Sequence, residues 1–196
     1  MAENYLKILK GQLEEKGISF VAGLNDAEIN KIESRYGFNF PPDLKAFLQY
    51  ALPVSKGFLN WRETSEEEIR YWLEWPLEGM CFDIEHATFW LKAWGPKPPD
   101  LEEAFAVARQ AVAEAPILIP IYRHRYLPTE PNQPGNPVLS VHQTDIIHYG
   151  NDLASYLSRE FKISCPDWAA KTLRPIRFWD DVLESWADEF QEEISL

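Results

Sequence analysis

The sequence predicts a single domain that contains both α-helices and β-strands. The chain has 196 residues, of which 45% are hydrophobic and 14% aromatic, which is enough for one ordinary hydrophobic core. Helical periodicity dominates the chain before residue 115, whereas strand-like patterns are gathered between residues 118 and 149. No repeat, glycine-serine linker or low-complexity tract interrupts it, so we expect one domain over residues 1–196.

Two short helices are predicted at the N-terminus. Apolar residues at helical spacing up to Leu13 predict a first helix that ends before Gly17. Asn25 and Glu28 have the spacing of a capping box, in which each side chain bonds the other's backbone N–H group. A second helix should therefore begin at Asn25 and end at Gly37.

Three more helices follow from their start signals. A third should begin at the proline pair 41–42 and be stopped by Pro53. Ser65, with Glu68 closing a capping box, should begin a fourth, which explains the glutamates at 66–68 as a helix N-terminus. Asp100 should cap an alanine-rich fifth helix.

The segment from residue 116 to residue 150 predicts short strands. The string "PILIPIY" indicates a buried strand in which Pro120 favours a sheet edge or a bulge. Alternation from Tyr122 to Tyr126 would then place the two intervening arginines on the opposite face. Two further strands should surround a turn at residues 143–145. Asn151 should cap the next helix, and a last amphipathic helix should carry Trp179 on its apolar face.

The charge balance restricts the partners. Lysine and arginine number 19 and aspartate and glutamate 31, which gives a net charge of −12. Such a chain repels phosphate backbones, so we expect no nucleic-acid partner. The negative charge would attract a basic protein. The alternative is that the charge is present only to keep the protein soluble.

Cysteine usage and hydropathy predict a cytoplasmic location. Cys81 and Cys165 form no CxxC pair, which argues against a disulfide framework or a structural zinc site, and we expect reduced, packed thiols. The N-terminal segment is amphipathic and contains glutamates, so it does not have the pattern of a signal peptide. No apolar run is long enough to cross a membrane, and we therefore expect no membrane partner.

Three potential metal ligands lie close together in the sequence. His142, Asp145 and His148 are spaced three residues apart, which suits one face of a helix. The segment instead predicts strand and turn, where residues three apart point to opposite faces. We therefore expect no metal, and expect both histidines to be half-buried and bonded to a backbone carbonyl or water.

The motifs of common enzymes are missing from the sequence. Ser140 has no glycine elbow, no histidine lies near Cys165 in the sequence, and neither GxGxxG nor GxxxxGK occurs. We predict no catalytic residue and no cofactor. The alternative is a small-molecule-binding or metal-assisted enzyme that uses residues 121–150.

A binding protein could use the same residues without reacting. Arg123, His124, Arg125 and Tyr126 form a candidate patch that could bind a carboxylate, unless the arginines pair internally with the surplus glutamates. Six of the eight tryptophans divide between predicted core positions and irregular segments that a partner could reach. The core set is Trp72, Trp179 and Trp186, and the second set is Trp61, Trp90 and Trp94.

The C-terminal helix offers a second candidate surface, because no lysine or arginine follows Arg177. Its outward face should be a negative stripe, present either for solubility or to contact a basic partner. Replacing its candidate residues by their amides should weaken partner binding while leaving the fold intact. These residues are Asp188, Glu189, Glu192 and Glu193.

Two strings resemble the SUKH superfamily. The first, "LNDAEINKIESRYGFNFPPDLKAFLQYALP", resembles its N-terminal signature, although "YALPV" replaces the family's usual glycine-containing turn. The matching positions are Ile29, Ile32, Glu33, Gly37, Phe40, Pro41, Asp43, Phe47 and Leu48. The second, "IPIYRHRYLP" with "GNPVLSVHQTDIIHYGNDLASYL", is similar to the strand-loop-strand-helix segment of the bacterial branch. Together they cover about residues 24–161.

The resemblance implies an α+β domain with a central, mainly antiparallel sheet flanked by helices. Its members are non-enzymatic binding proteins: bacterial immunity proteins that neutralise toxins, often nucleases, and fungal regulators of cell-wall assembly. No catalytic residue set accompanies the family. The resemblance therefore predicts an immunity protein whose partner is a basic toxin domain.

Overall fold

The structure is a computed structural model that describes residues 3–185. The helices are α1 (Glu3–Glu15), α2 (Asp26–Tyr36), α3 (Pro42–Tyr50), α4 (Glu66–His86), α5 (Leu101–Glu114), α6 (Leu153–Phe161) and α7, which is described over residues 179–185. A 3-10 turn covers Lys92–Trp94. The strands are β1 (Phe20–Ala22), β2 (Ala51–Pro53), β3 (Leu118–Tyr122), β4 (Arg125–Pro128), β5 (Val138–His142) and β6 (Asp145–Gly150).

The strands form two antiparallel sheets, which confirms the α+β prediction. β3, β4, β5 and β6 are neighbours in chain order in a four-stranded sheet, and β1 pairs with β2. Pro120 lies in the edge strand β3, and the register shifts between Pro120 and Tyr122, as its missing N–H group led us to expect. The small β1–β2 sheet was not predicted, since each of its strands has three residues.

Helix α2 begins at its predicted cap, and α3 begins at the predicted proline pair. Asn25 and Glu28 form the predicted capping box, and α2 ends at Gly37, which adopts the left-handed conformation with φ of 73°. The prediction that Pro53 stops α3 was wrong. The helix ends at Tyr50 because the chain passes directly into β2, whose register sets Ala51 opposite Ala22.

Helix α4 contains a proline, and a side chain from the four-stranded sheet supplies the hydrogen bond that the helix loses there. Pro76 has no N–H group, so the carbonyl of Trp72, four residues earlier, loses its usual helical donor. The hydroxyl of Tyr126, which is fully buried in β4, donates to that carbonyl at 3.0 Å. Burial raises the pKa of Tyr126, so the hydroxyl remains protonated and can act as the donor.

The cap of α6 lies one residue beyond the predicted position. Asp152, not Asn151, accepts a hydrogen bond from the N–H group of Ser155 and forms a capping box with that residue. The side-chain amide of Asn151 donates instead to the carbonyl of Ala170 at 3.0 Å. Because two adjacent residues are both of a type that caps helices, tertiary contacts decide which of them caps α6, and sequence spacing does not reveal those contacts.

The buried residues form two hydrophobic clusters. One joins α1, α2, α3 and α6 to β3, and the other joins α4, α5 and α7 to the opposite side of the four-stranded sheet. Trp179 is 2% exposed, and its indole N–H group donates to the carbonyl of Pro116 at 2.7 Å. Among residues 3–185, no helix combines the length and hydropathy of a membrane-spanning segment.

Two expectations about individual side chains were wrong. Trp61 is buried at 6% exposure and packs edge-on against Phe40, so it belongs to the core rather than to a reachable segment. Cys165 is exposed rather than packed, and Cys81 is partly buried. Both thiols are free in the structure.

Candidate functional site

The predicted alternation from Tyr122 to Tyr126 is interrupted by a turn. β3 ends at Tyr122, residues 123–124 form the turn, and Arg123 has a positive φ of 51°. Arg123 and Arg125 therefore do not share one face of a continuous strand. Tyr126 is fully buried beneath α4, which removes it from the candidate binding patch.

Arg125 forms internal contacts and is not free for a partner. Its guanidinium donates to Ser140 Oγ at 2.7 Å, lies 3.5 Å from Glu160 Oε2 and stacks 3.8 Å from the ring centroid of Tyr149. Only 12% of its side chain is exposed. The sequence left open whether this arginine binds a partner's carboxylate or pairs internally with a glutamate. In the structure it pairs internally, with Glu160.

A partly buried polar cluster surrounds Arg125. The ring of Tyr149 contacts two guanidinium groups, since Arg159 also lies over it at 4.4 Å from the ring centroid. Among the described residues, no protein group forms a hydrogen bond with Arg125 Nε, Tyr156 Oη or Glu160 Oε2, although all three atoms are buried. Burial and the nearby Glu160 carboxylate raise the pKa of Tyr156, so the phenol stays neutral.

The remaining patch residues crowd one end of the sheet. Arg123 is exposed, His124 is partly buried and His142 is exposed at the end of β5. Burial, followed by the positive charges of Arg125, His142 and Arg123, lowers the pKa of His124. The imidazole of His124 is therefore neutral at pH 7, and the patch is less basic than its sequence indicates.

The three potential metal ligands do not converge. His142 and Asp145 are opposite each other at the end of the β5–β6 hairpin, whereas His148 lies 3.2 Å from the carboxylate of Asp180 in α7. In residues 3–185, no three histidine, cysteine or acidic side chains are placed to hold a metal ion. The expected environments also need correction, because His142 is exposed and the partner of His148 is a carboxylate.

A cleft with a volume of about 510 Å³, called here the α3–α6 cleft, was not predicted. It is bounded by the N-termini of α3 and α6, by residues 134–135 and by residues 168–174. Its lining residues are Asp43, Pro134, Gly135, Asp152, Leu153, Ala154, Trp168, Ala170, Thr172, Leu173 and Arg174.

The two buried carboxylates of the α3–α6 cleft hold its walls together. Asp43 accepts hydrogen bonds from the N–H groups of Leu44 and Gly135, both at 3.0 Å. Asp152 accepts from the N–H groups of Ser155 and Ala170, both at 2.7 Å. Each carboxylate thus joins its own helix N-terminus to a distant segment of chain, which is a structural use of the charge.

Burial governs the protonation of Asp43. At 5% exposure the carboxyl group loses most of its hydration, and this raises its pKa despite the two N–H donors. The charge of Asp152 acts in the same direction. Arg174 lies at the same cleft, where its guanidinium donates to the buried Asn136 Oδ1 at 2.7 Å.

The apolar residues of the α3–α6 cleft are exposed to an unusual extent. Trp168 is 55% exposed and Leu173 is 45% exposed, although both are large hydrophobic side chains. The ring of Tyr5 packs edge-on against Trp168 at 4.8 Å and holds it in place. A tryptophan in an irregular segment is the sequence feature that could have revealed this cleft. Trp168 was not among the tryptophans assigned to such segments.

The candidate acidic stripe of the C-terminal helix can be followed only in part. Asp188, Glu189, Glu192 and Glu193 lie outside the described residues. Asp180 faces inward, where it accepts a hydrogen bond from the N–H group of Ile176 at 2.9 Å and contacts His148. The outward charges of the described part of α7 are Asp181 and Glu184.

Comparisons with protein-family models, with curated proteins and with solved structures found no match to this chain.

Proposed function

We propose that this chain is a non-enzymatic protein-binding domain of the toxin-immunity type, which neutralises a basic toxin domain by binding it. One observation supports the protein-binding part of this proposal. In the α3–α6 cleft, Asp43 and Asp152 are occupied by the protein's own backbone, while Trp168 and Leu173 are left about half exposed. The cleft therefore offers contact area, not free acid-base groups.

Exposed aromatic side chains in a concave site are typical of protein–protein interfaces in which a few residues supply most of the binding free energy. Tryptophan is enriched among residues whose truncation costs more than about 2 kcal/mol of binding, and such residues lie in pockets that exclude water. Trp168 is held by Tyr5 before any partner arrives, so little side-chain entropy is lost on binding. This favours a rigid anchor site for a protein partner.

The immunity role is supported by the SUKH resemblance of residues 24–161, not by the cleft. The antiparallel sheet with helices around it is the architecture that this resemblance implies. The net charge of −12 favours a basic partner, because opposite charges accelerate association. Regulation of cell-wall assembly is the other role that the resemblance offers, and it also requires protein binding.

The proposal predicts that the gene directly preceding that of this chain encodes a toxin, and the test is neutralisation of that toxin. The C-terminal domain of that toxin, expressed alone in bacteria, should stop growth, and co-expression of this chain should restore it. Purified chain and toxin domain should also form a complex in size-exclusion chromatography. If the chain fails to restore growth and forms no complex, the proposal is wrong.

A matched pair of variants tests the contribution of the cleft. Trp168→Ala combined with Leu173→Ala should weaken the complex about tenfold or more, because both side chains lie at the cleft surface. Ile8→Ala combined with Ile147→Ala removes two similarly exposed apolar side chains elsewhere and should leave binding within about twofold. Equal losses in both variants would remove the cleft from the proposal.

A further inference from the structure

Helix α4 carries an exposed face that combines aromatic rings with carboxylates. At about 100° per residue, nine of its positions fall within an arc of about 120°. One of them, Glu68, donates its N–H group to the cap Ser65, and the other eight extend along the helix. They are Glu67, Tyr71, Glu74, Trp75, Glu78, Phe82, Glu85 and His86. The opposite side of the helix carries the buried residues Ile69, Met80 and Ile84. We call the exposed arc the α4 face.

The aromatic residues of the α4 face are only partly covered by the fold. Tyr71 is 50% exposed and Phe82 is 49% exposed, while Trp75 is partly buried and packs 5.5 Å from Tyr71. The ring of Phe82 packs at a tilt against the exposed ring of His86, with 4.5 Å between the ring centroids. Single exposed apolar residues are common on proteins, but here they recur along one side of a 21-residue helix.

The charges of the α4 face have one sign. Glu67, Glu74, Glu78 and Glu85 are all exposed, and from Tyr71 to His86 the helix contains no lysine or arginine. The nearby arginines are already paired, since Arg70 binds Glu66 at 2.8 Å and Arg109 lies 3.5 Å from Glu102. The imidazole Nε2 of His86 lies 3.5 Å from the carboxylate of Glu85.

We infer that the α4 face is a docking surface for a basic protein partner that presents arginine or lysine side chains. The flat rings of Tyr71 and Phe82 can stack with a guanidinium group, and the neighbouring glutamates can bind it by charge-assisted hydrogen bonds. This inference rests on the proposed function, because it names a contact surface for the basic partner. It does not depend on the α3–α6 cleft.

Charge complementarity favours a basic protein on the α4 face over a second copy of this chain, the chain's own acidic C-terminal residues, a nucleic acid or a membrane. A second copy of the chain docked through the same face would bring four glutamates against four, and the acidic residues after 185 would be repelled as well. Nucleic acids and anionic membranes carry the same unfavourable sign. A basic partner removes the repulsion among the glutamates and covers the aromatic rings at the same time.

The probe for the test is a short fluorescein-labelled peptide of alternating arginine and leucine, with a matched peptide in which citrulline replaces arginine. Binding to the full chain is measured by fluorescence anisotropy at about 0.05 and about 0.5 M salt. The face variant is Glu74→Gln, Glu78→Gln and Glu85→Gln, in which Glu67 is retained for its favourable place in the first helical turn. The control variant of equal charge change is Glu14→Gln, Glu15→Gln and Glu114→Gln, which alters exposed glutamates of α1 and α5.

The arginine peptide should bind the wild-type chain more tightly than the citrulline peptide, and more weakly at high salt. The face variant should lose about tenfold or more in affinity, whereas the control variant should stay within about threefold. Tyr71→Ser with Phe82→Ser should lose about fivefold without a change of charge. Circular dichroism melting verifies that each variant is folded.

Equal affinities of the face and control variants would overturn the inference, as would a wild-type chain that does not bind the arginine peptide. Neither result touches toxin neutralisation, which is measured by growth with the toxin domain itself. Conversely, a chain that fails to neutralise but loses peptide binding only in the face variant would refute the proposed function and leave the docking surface standing.

Discussion

The carboxylate of Glu28 and the guanidinium of Arg62 form two parallel hydrogen bonds, from Nε to Oε1 at 2.6 Å and from Nη2 to Oε2 at 3.0 Å. Arg62 also donates to the carbonyls of Ala22 and Gly23, and Glu28 accepts from the capping N–H group of Asn25. One ion pair thus fastens the start of α2 and the end of β1 to the loop before α4. The hydrogen bonds from Arg62, aided by that of Asn25, lower the pKa of Glu28 to about 2.

This shift predicts a pH-dependent stability difference. Because the folded-state pKa is below the unfolded value of about 4.3, the contribution of Glu28 is fully present above that value and is lost as the pH falls through 2. Glu28→Gln should therefore be less stable than the wild type by about 1 kcal/mol at pH 7, and the gap should close in acid. Urea unfolding between pH 7 and pH 2 measures it.

Arg62→Gln is the companion variant for that experiment. It removes the partner that lowers the pKa of Glu28, so its gap to the wild type should shrink over the same acidic range. A gap that keeps its full size at pH 2 in both variants would show that the pair acts through packing and not through charge.

A buried hydrogen bond between α4 and the β5–β6 turn should contribute strongly to stability. Asp83 Oδ2 accepts from the N–H group of Thr144 at 2.9 Å and from its hydroxyl at 2.5 Å, and both side chains are buried. Thr144→Val keeps the shape but removes the hydroxyl donor to a buried carboxylate. We expect a loss of about 1–3 kcal/mol in denaturant unfolding.

Thr172→Val is the matched control, because Thr172 is exposed at the cleft and the same chemical change should cost less than about 0.5 kcal/mol. Comparable losses at the two positions would contradict the role given to the Asp83–Thr144 contact.

Two tryptophans close in sequence should differ sharply in their effect on stability. Trp179 is 2% exposed and is hydrogen-bonded to the carbonyl of Pro116, so Trp179→Ala should cost about 3–5 kcal/mol. Trp168 is 55% exposed and should cost about 1 kcal/mol or less, through its edge contact with Tyr5. Urea unfolding of both alanine variants decides the matter. If Trp168→Ala is as damaging as Trp179→Ala, the cleft wall is part of the core and is not a preformed contact surface.

Chelation tests the assignment of the histidines. With His148 paired to Asp180 and His142 exposed at a hairpin end, we expect a chelator to leave the melting temperature unchanged and elemental analysis to find no stoichiometric zinc, manganese or iron. A tightly bound ion stabilises only the folded state, so a drop of several degrees on chelation would contradict this prediction.

Local signals in the sequence were sufficient for most helix starts. The side chains of Asn25, Ser65 and Asp100 each accept a hydrogen bond from the N–H group three residues later, so the partner is fixed by sequence spacing alone. The return bond from the Ser65 N–H group to the Glu68 side chain, which the predicted capping box requires, is not formed. The β5–β6 hairpin was predicted for the same reason, since its turn joins residues that are adjacent in the chain. Where two capping residues are neighbours, as at Asn151 and Asp152, spacing no longer discriminates and the prediction missed by one residue.

The sequence by itself determined most helix starts, the β5–β6 hairpin, the negative charge and an edge or bulge position for Pro120, because each depends on nearby residues or on composition. Only the tertiary structure decided the α3–α6 cleft, where Asp43 bonds Gly135 and Asp152 bonds Ala170. It also decided that Tyr126 completes the hydrogen bonding of α4. These contacts join residues far apart in the chain, and their free energy depends on distance and burial in space, which sequence spacing does not encode.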